Sequence, residues 1–144
     1  MRYDRQIILP EIGEEGQNKL QKAKVLIVGV GGLGSPIALY LAGAGVGCLG
    51  LVDDDSVSIS NLQRQVLYSE EELGKPKAVC ASQRLTSLNS EIETRHYSAR
   101  LTAENADRII QEHDIVVDGC DNFDTSYLIN DICIKQGKPY VYGA

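Results

Sequence analysis

Apolar positions in this chain fall in short runs separated by longer stretches of mixed character. Lys24 to Gly29 carries an unbroken apolar core and stops at a glycine, as a strand buried on both faces should. Leu33 to Ala44 is rich in Ala and Leu and follows a glycine-rich turn, which predicts a helix with Pro36 tolerated in its first turn. Cys48 to Val52 predicts a second buried strand ending at Asp53. Residues 54–75 show no clear period and predict a long surface segment. Lys77 to Leu88, opened by Pro76, predicts a helix. Glu91 to Tyr97 alternates Ile92, Thr94 and His96 with charged residues and predicts a partly exposed strand. Ala103 to Glu112 predicts a short helix capped by Thr102, with Glu104 in its first turn. Ile115 to Asp118 predicts another buried strand. Thr125 to Gln136 predicts a helix stopped at Gly137, and Pro139 to Tyr142 begins a further strand.

Strands that alternate with helices at this spacing need crossover connections. The expected fold class is α/β: a Rossmann-like, doubly wound, mostly parallel sheet with helices on both faces. Ligands in such sheets bind beyond the carboxyl ends of the strands. The segments after Gly29, Asp53 and Asp118 are therefore where chemistry is expected.

Composition narrows the class. At 144 residues, with 43% hydrophobic and 24% charged residues, the chain reads as one ordinary globular domain. Its 14 basic and 20 acidic residues leave a formal charge of −6, which disfavours a nucleic-acid partner. No apolar run approaches the ~20 residues of a membrane span, and Met-Arg-Tyr-Asp-Arg-Gln has no apolar signal core behind it. A cytoplasmic location is expected. Cys48, Cys80, Cys120 and Cys133 form no C-x-x-C pair, so no zinc half-site is visible. Cys48 and Cys133 read as buried small groups. His96 and His113 read as surface or strand-edge residues, which leaves Cys120 without an evident base.

Gly29-Val-Gly31-Gly32-Leu-Gly34 fits G-x-G-x-x-G between a predicted strand and helix. Such a turn brings backbone N–H groups and a helix N-terminus against a phosphate. Asp53, at the end of the next strand, stands where a carboxylate accepts from a ribose hydroxyl. The pair points to a nucleotide with a ribose and does not separate NAD from ATP; a turn made for helix–sheet packing alone is the plainer reading. Further on, Asp53-Asp54-Asp55 is followed by Ser60-Asn-Leu-Gln-Arg-Gln65 and then Lys77. Asn61, Arg64 and Lys77 suit phosphate oxygens, more of them than a dinucleotide's pyrophosphate needs; a solvated polar loop is the alternative. Asp118-Gly-Cys-Asp121-Asn122 places Asp121 at the mouth of the same crevice, either as a Mg²⁺ carboxylate or as a helix N-cap.

Taken together these motifs resemble the superfamily of ubiquitin-activating-type adenylyltransferases, and within it the bacterial ThiF/MoeB/HesA branch. The resemblance runs from Tyr3-Asp-Arg-Gln-Ile7 to Tyr142-Gly-Ala144 and rests on R-Q-I, G-x-G-G-L-G, D-x-D, S-N-L-Q-R-Q, G-K-P-K and D-N in combination. It implies ATP-dependent adenylylation of the C-terminal glycine of a ubiquitin-like sulfur-carrier protein ending in Gly-Gly, of the thiamine or molybdopterin type. It places Gly29, Gly31, Gly32 and Gly34 under the nucleotide and Asp53, with Asp55 in the same D-x-D, at the ribose. Asn61, Gln63 and Arg64 belong to the phosphate-binding stretch. Lys77 falls near the reacting α-phosphate, and Asp121, beside Asn122, at Mg²⁺. Arg5 matches an arginine that reaches a partner subunit's site, which implies a homodimer; by itself it reads as a surface charge near a terminus. Arg5, Arg64, Lys77 and the helix after Gly34 are expected to make a locally positive site within an acidic protein.

The family's chains continue past this point with a crossover cysteine and, in many members, two C-x-x-C zinc pairs. This chain supplies neither. It is expected to be a single nucleotide-binding domain, residues 1–144, forming the N-terminal part of a longer protein, with structural Zn²⁺ only if a further part carries C-x-x-C pairs. Three other readings stand beside carrier activation. A non-enzymatic nucleotide-binding or dimerisation module is one, disfavoured by the presence of Arg5, Arg64, Lys77 and Asp121 together. The related tRNA threonylcarbamoyladenosine dehydratase branch shares the ATP site, and an NAD-dependent oxidoreductase would explain the glycine turn and Asp53 alone.

Overall fold

A computed structural model describes residues 1–143; Ala144, the last residue of the resemblance, lies outside the described residues. The strands are β1 (Lys24–Val28), β2 (Cys48–Val52), β3 (Glu93–Tyr97), β4 (Ile115–Asp118) and β5 (Tyr140–Tyr142). All are parallel, in the order β3-β2-β1-β4-β5. The sheet expected to be mostly parallel is parallel throughout. The chain winds from β1 outward to β3, then returns to the other side of β1 to lay down β4 and β5. The direction of winding reverses between β1 and β4, and their carboxyl ends flank a crevice.

Among the described residues six helices accompany the sheet: α1 (Asp4–Ile7), α2 (Gly13–Lys22), α3 (Gly34–Ala44), α4 (Lys77–Leu88), α5 (Ala106–Gln111) and α6 (Phe123–Gln136). The side-chain alternation of β1 separates two cores. Val25 and Ile27 join Leu49 and Leu51 against Ala38 and Ala42 of α3 and Ala81 and Leu85 of α4. Leu26 and Val28 join Val52 and Val116 against Ile109 and Ile110 of α5 and Ile129 and Cys133 of α6. Each large side chain so buried contributes about 1.5–3 kcal/mol. Small residues on the inner face of α3 let that helix lie close to the sheet. Left-handed glycines stop α3 at Gly45 and α6 at Gly137.

Several elements depart from the sequence pattern. Neither α1 nor α2 was expected; α2 docks at the amino end of the sheet through buried Gln17, whose Nε2 donates to the Ala44 carbonyl at 3.0 Å. A polar anchor of this kind leaves no apolar period to read. The segment 54–75 is not merely a surface loop: Val57, Leu67 and Tyr68 reach the core, and short 3₁₀ turns occupy Ile59–Asn61 and Glu70–Glu72. Thr102 does not cap α5, which begins only at Ala106; instead the Asn105 side chain accepts from the Thr102 N–H at 2.8 Å, and the chain turns once more before the helix. Cys48 and Cys133 are buried, as expected.

His113 is the clearest correction. It is 1% exposed and packs under β2, where a Cβ on Gly50 would come within 2.3 Å of its Nε2. Its Nδ1 lies 2.8 Å from the Ile109 carbonyl and donates to it in the neutral ring. Burial pushes its pKa below the ordinary 6.5, partly opposed by that bond. The unfolded chain therefore takes up this proton first as pH falls. The stability His113 confers is present above about pH 6.5 and lost progressively below it. Between pH 7 and pH 5, wild-type protein should lose more denaturant stability than a His113→Gln variant measured in parallel; equal losses would show that His113 is protonated as readily in the fold as out of it.

Candidate functional site

The crevice is assembled from backbone before any side chain enters it. Gly29 ends β1 at φ +85° and donates to the Val52 carbonyl at 2.8 Å. A Cβ on Gly34, at the start of α3, would lie 1.8 Å from the Gly29 carbonyl oxygen; one on Gly119, just past β4, would lie 2.8 Å from the same atom. Three glycines thus let the ends of β1 and β4 and the first turn of α3 meet backbone to backbone. Gly31 and Gly32 have a different setting. They line the open side of the turn, and the nearest atoms to a Cβ there belong to the side chains of Gln65 and Arg64.

Around this junction lies a cleft of about 540 Å³. Gly29, Gly31, Gly32, Asp53, Asp55, Asn61, Arg64, Lys77, Asp121 and Asn122 all line it, so the structure gathers most of the expected site from three loops and the start of α4. Asp53 ties two of these loops together: its Oδ2 accepts from Val30 N at 2.9 Å and its Oδ1 from Asp55 N at 2.8 Å. Burial raises its pKa, against the pull of those two N–H bonds and of Lys77. Lys77 opens α4, is 4% exposed, and has Asp55 Oδ2 as its ion partner at 3.4 Å. A buried ammonium with one distant partner keeps donors for an incoming anion. The Arg64 guanidinium lies beside Gly32.

The sequence-level choices at the third loop resolve cleanly. Asn122, not Asp121, caps α6, its Oδ1 accepting from Thr125 N at 3.2 Å. Asp121 is exposed on the cleft wall and has no hydrogen bond to a described residue. The fully buried Asp118 holds this loop. Its carboxyl oxygens accept from Cys120 N at 3.0 Å, Cys120 Sγ at 2.7 Å, Ser126 Oγ at 2.5 Å and the Tyr140 hydroxyl at 2.7 Å. Burial, then the Asp118 bond, push the Cys120 thiol above its usual range, so it stays protonated at neutral pH and is a poor nucleophile.

Three expected residues lie elsewhere. Gln63 is exposed and off the cleft wall, because the turn after Ser60 projects positions 61, 64 and 65 to one side. Gly34 is buried beneath the turn and serves packing. Arg5 sits on α1, whose Tyr3 packs on Gly45 at the amino end of the sheet, away from its own chain's cleft. Conversely, Gln65, Arg100 and Gly119 belong to the site and were not anticipated. Arg100 follows β3, so its place beyond a strand's carboxyl end was a usable signal. The expected positive site is also corrected: Asp53, Asp54, Asp55 and Asp121 outnumber Arg64, Lys77 and Arg100 along the cleft.

That imbalance bears on a metal. A triphosphate would add several negative charges to four carboxylates and three cations, and a divalent cation would redress the balance. Among the described residues no three His, Cys, Asp or Glu side chains are grouped to cage an ion. Mg²⁺ suits this arrangement, since it takes one or two carboxylates and draws its other ligands from phosphate and water. The unengaged carboxyl of Asp121 fits that part.

The ThiF family model matches residues 3–144. The chain belongs to the ThiF family. It is 52% identical over 143 residues to the sulfur carrier protein adenylyltransferase of Thermus thermophilus, a match covering 99% of this chain and 53% of that protein. The structure of E. coli MccB with ATP is similar over 99% of this chain and 44% of that one, with a TM-score of 0.87 and 32% identity. The structure of the E. coli tRNA threonylcarbamoyladenosine dehydratase TcdA with ATP has a TM-score of 0.92 at 26% identity, over 98% of this chain and 58% of that one. This ThiF-family chain spans about a third to a half of the length of the curated relatives it matches.

The glycine geometry separates two substitutions that sequence treats alike. Gly34→Ala should cost about 3 kcal/mol or more in urea denaturation, because backbone on both sides must move. Gly31→Ala should stay within about 1 kcal/mol, because only the Gln65 side chain must give way. Equal costs would remove the proposed junction.

Proposed function

We propose that this chain is the nucleotide-binding part of an adenylyltransferase that activates the C-terminal glycine of a ubiquitin-like sulfur-carrier protein. The observation that carries this reading is the cleft at the β1/β4 reversal, where the glycine turn, Asp53, Arg64, Lys77 and Asp121 converge. The identity to the Thermus adenylyltransferase supports it.

The chemistry follows from charge. A carrier's terminal carboxylate attacks the α-phosphorus of ATP; the new C–O–P bond forms as the bond to the β-phosphate oxygen breaks and pyrophosphate leaves. The attacking group is already ionised at pH 7, so no general base is needed. The difficulty is bringing two anions together. Lys77, held in the cleft wall, and Arg64, beside Gly32, stabilise charge building on the phosphate oxygens. Asp53 holds the ribose, and Asn61 adds its amide donors. Asp121 would hold Mg²⁺, which when bound would supply charge neutralisation at the phosphates. The product is a carrier acyl-adenylate open to attack by a sulfur nucleophile.

We read residues 1–144 as the N-terminal portion of a longer protein, in keeping with the greater length of its relatives. We also read it as a homodimer in which Arg5 enters the partner's cleft, since α1 lies at the wrong end of the sheet to serve its own. We place the reaction in the cytoplasm, which suits four free thiols. A thiamine or a molybdopterin carrier would fit the site equally. The tRNA dehydratase reading has the lower identity of TcdA behind it, and nothing in the cleft favours the NAD reading.

ATP–pyrophosphate exchange in the full-length protein, supplied with carrier, tests this. Lys77→Ala should reduce exchange about a hundredfold while leaving the fold intact. Arg5→Ala should be similarly impaired, and mixing the two variants should restore about a quarter of wild-type exchange, since one site in each mixed dimer is whole. Exchange that is insensitive to Lys77 would exclude the phosphate role, and mixing without recovery would exclude action across the dimer.

A further inference from the structure

Gln65 is a cleft-wall side chain whose amide no protein group satisfies. It is 3% exposed, and its Oε1 is fully enclosed without a hydrogen-bond partner. Two other enclosed polar atoms among the described residues share that condition, His113 Nε2 and Gln136 Oε1. Each belongs to a side chain tied down by its other polar atom: His113 through Nδ1 to the Ile109 carbonyl, Gln136 through Nε2 to Asp107. Gln65 has no such tie, and it alone of the three lines the cleft.

Its position is fixed through the backbone. Gln65 N donates to the Asn61 carbonyl at 2.8 Å, and its own carbonyl accepts from Tyr68 N at 3.2 Å. Tyr68 in turn donates its hydroxyl to the Val30 carbonyl at 2.6 Å, inside the glycine turn. The Gln65 side chain therefore rises under that turn, where a Cβ on Gly31 would be 3.4 Å from Nε2. An amide oxygen buried without a partner carries an uncompensated desolvation penalty, and a hydrocarbon of the same size would not. A donor held beside a phosphate-binding turn has an evident use for that penalty.

We propose that Gln65 is a nucleotide-contacting residue. Its amide N–H₂ donates to the phosphate chain beside Gly31. The inference rests on the reading that nucleotide phosphates lie at the glycine turn, and it adds a contact beyond Arg64 and Lys77. It also implies opposed effects: the residue weakens the ligand-free fold and strengthens binding.

The test pairs thermal melting without ligand and calorimetric titration with ATP–Mg²⁺ and with adenosine, on the full-length protein and its Gln65→Leu variant. The variant should melt at or above the wild-type temperature and bind ATP about tenfold more weakly, with adenosine affinity little changed. ATP affinity within about twofold of wild type, or an equal loss for ATP and adenosine, would overturn the proposal. Should Gln65→Leu fail to fold, Gln65→Glu keeps size and polarity but opposes phosphate; it should weaken ATP more than adenosine, and equal affinities again overturn the role. Wild-type protein that binds no ATP would remove the underlying functional reading, whereas wild-type binding matched by both variants would remove only the role of Gln65.

Discussion

The structure depends on one close approach of backbone to backbone. Gly29, Gly34 and Gly119 come together where β1 ends, α3 starts and β4 ends, and none of the three has room for a side chain. Excluding side chains here lets α3 begin directly over the reversal point of the sheet. Its first turn then directs the positive end of its dipole toward the crevice, with Ser35 N already bonded to the Gly31 carbonyl at 3.0 Å and Pro36 carrying no N–H. A bulkier junction would push α3 outward and separate the glycine turn from the loops after β2 and β4. Chemistry in this cleft is thus a consequence of packing beneath it.

Two carboxyl groups then fix the loops around that junction. Asp53 accepts N–H bonds from Val30 and Asp55, coupling the glycine turn to the loop after β2. Asp118 draws donors from Cys120, Ser126 and Tyr140, coupling the loop after β4 to α6 and β5. Asp118 works from complete burial, Asp53 from the cleft wall. Between these anchors Lys77, Arg64 and Asp121 remain available. The division is physical: groups whose bonds are met by the protein hold shape, and groups left short of partners face the ligand.

Much of this was legible from residues alone, because the strongest signals are local. Val25 to Val28 is apolar at every position because β1 is covered on both faces, and Gly45 and Gly137 end helices where only a left-handed residue closes the turn cheaply. Gly29, Gly31, Gly32, Asp53, Asn61, Arg64, Lys77 and Asp121, all expected at the nucleotide, do line the cleft. What escaped depended on contacts between distant segments. Gly119 looks like any turn glycine until β4 is laid beside β1. His113 reads as a polar strand-edge residue until the absence of a side chain at Gly50 makes room for it. Gln63 and Gln65 differ by two positions in one polar run, and only the turn after Ser60 decides which faces inward. The helix α2 is docked by the Gln17 amide, so its sequence carries no apolar stripe.

In the proposed reaction a carboxylate attacks the α-phosphorus of ATP in this cleft. Oxygen-18 in the C-terminal carboxylate of the carrier protein follows that bond directly. After reaction in the full-length protein and release of the activated carrier to a thiol, the account predicts one labelled oxygen in AMP and none in pyrophosphate. Label in inorganic phosphate, or AMP without label, would contradict it.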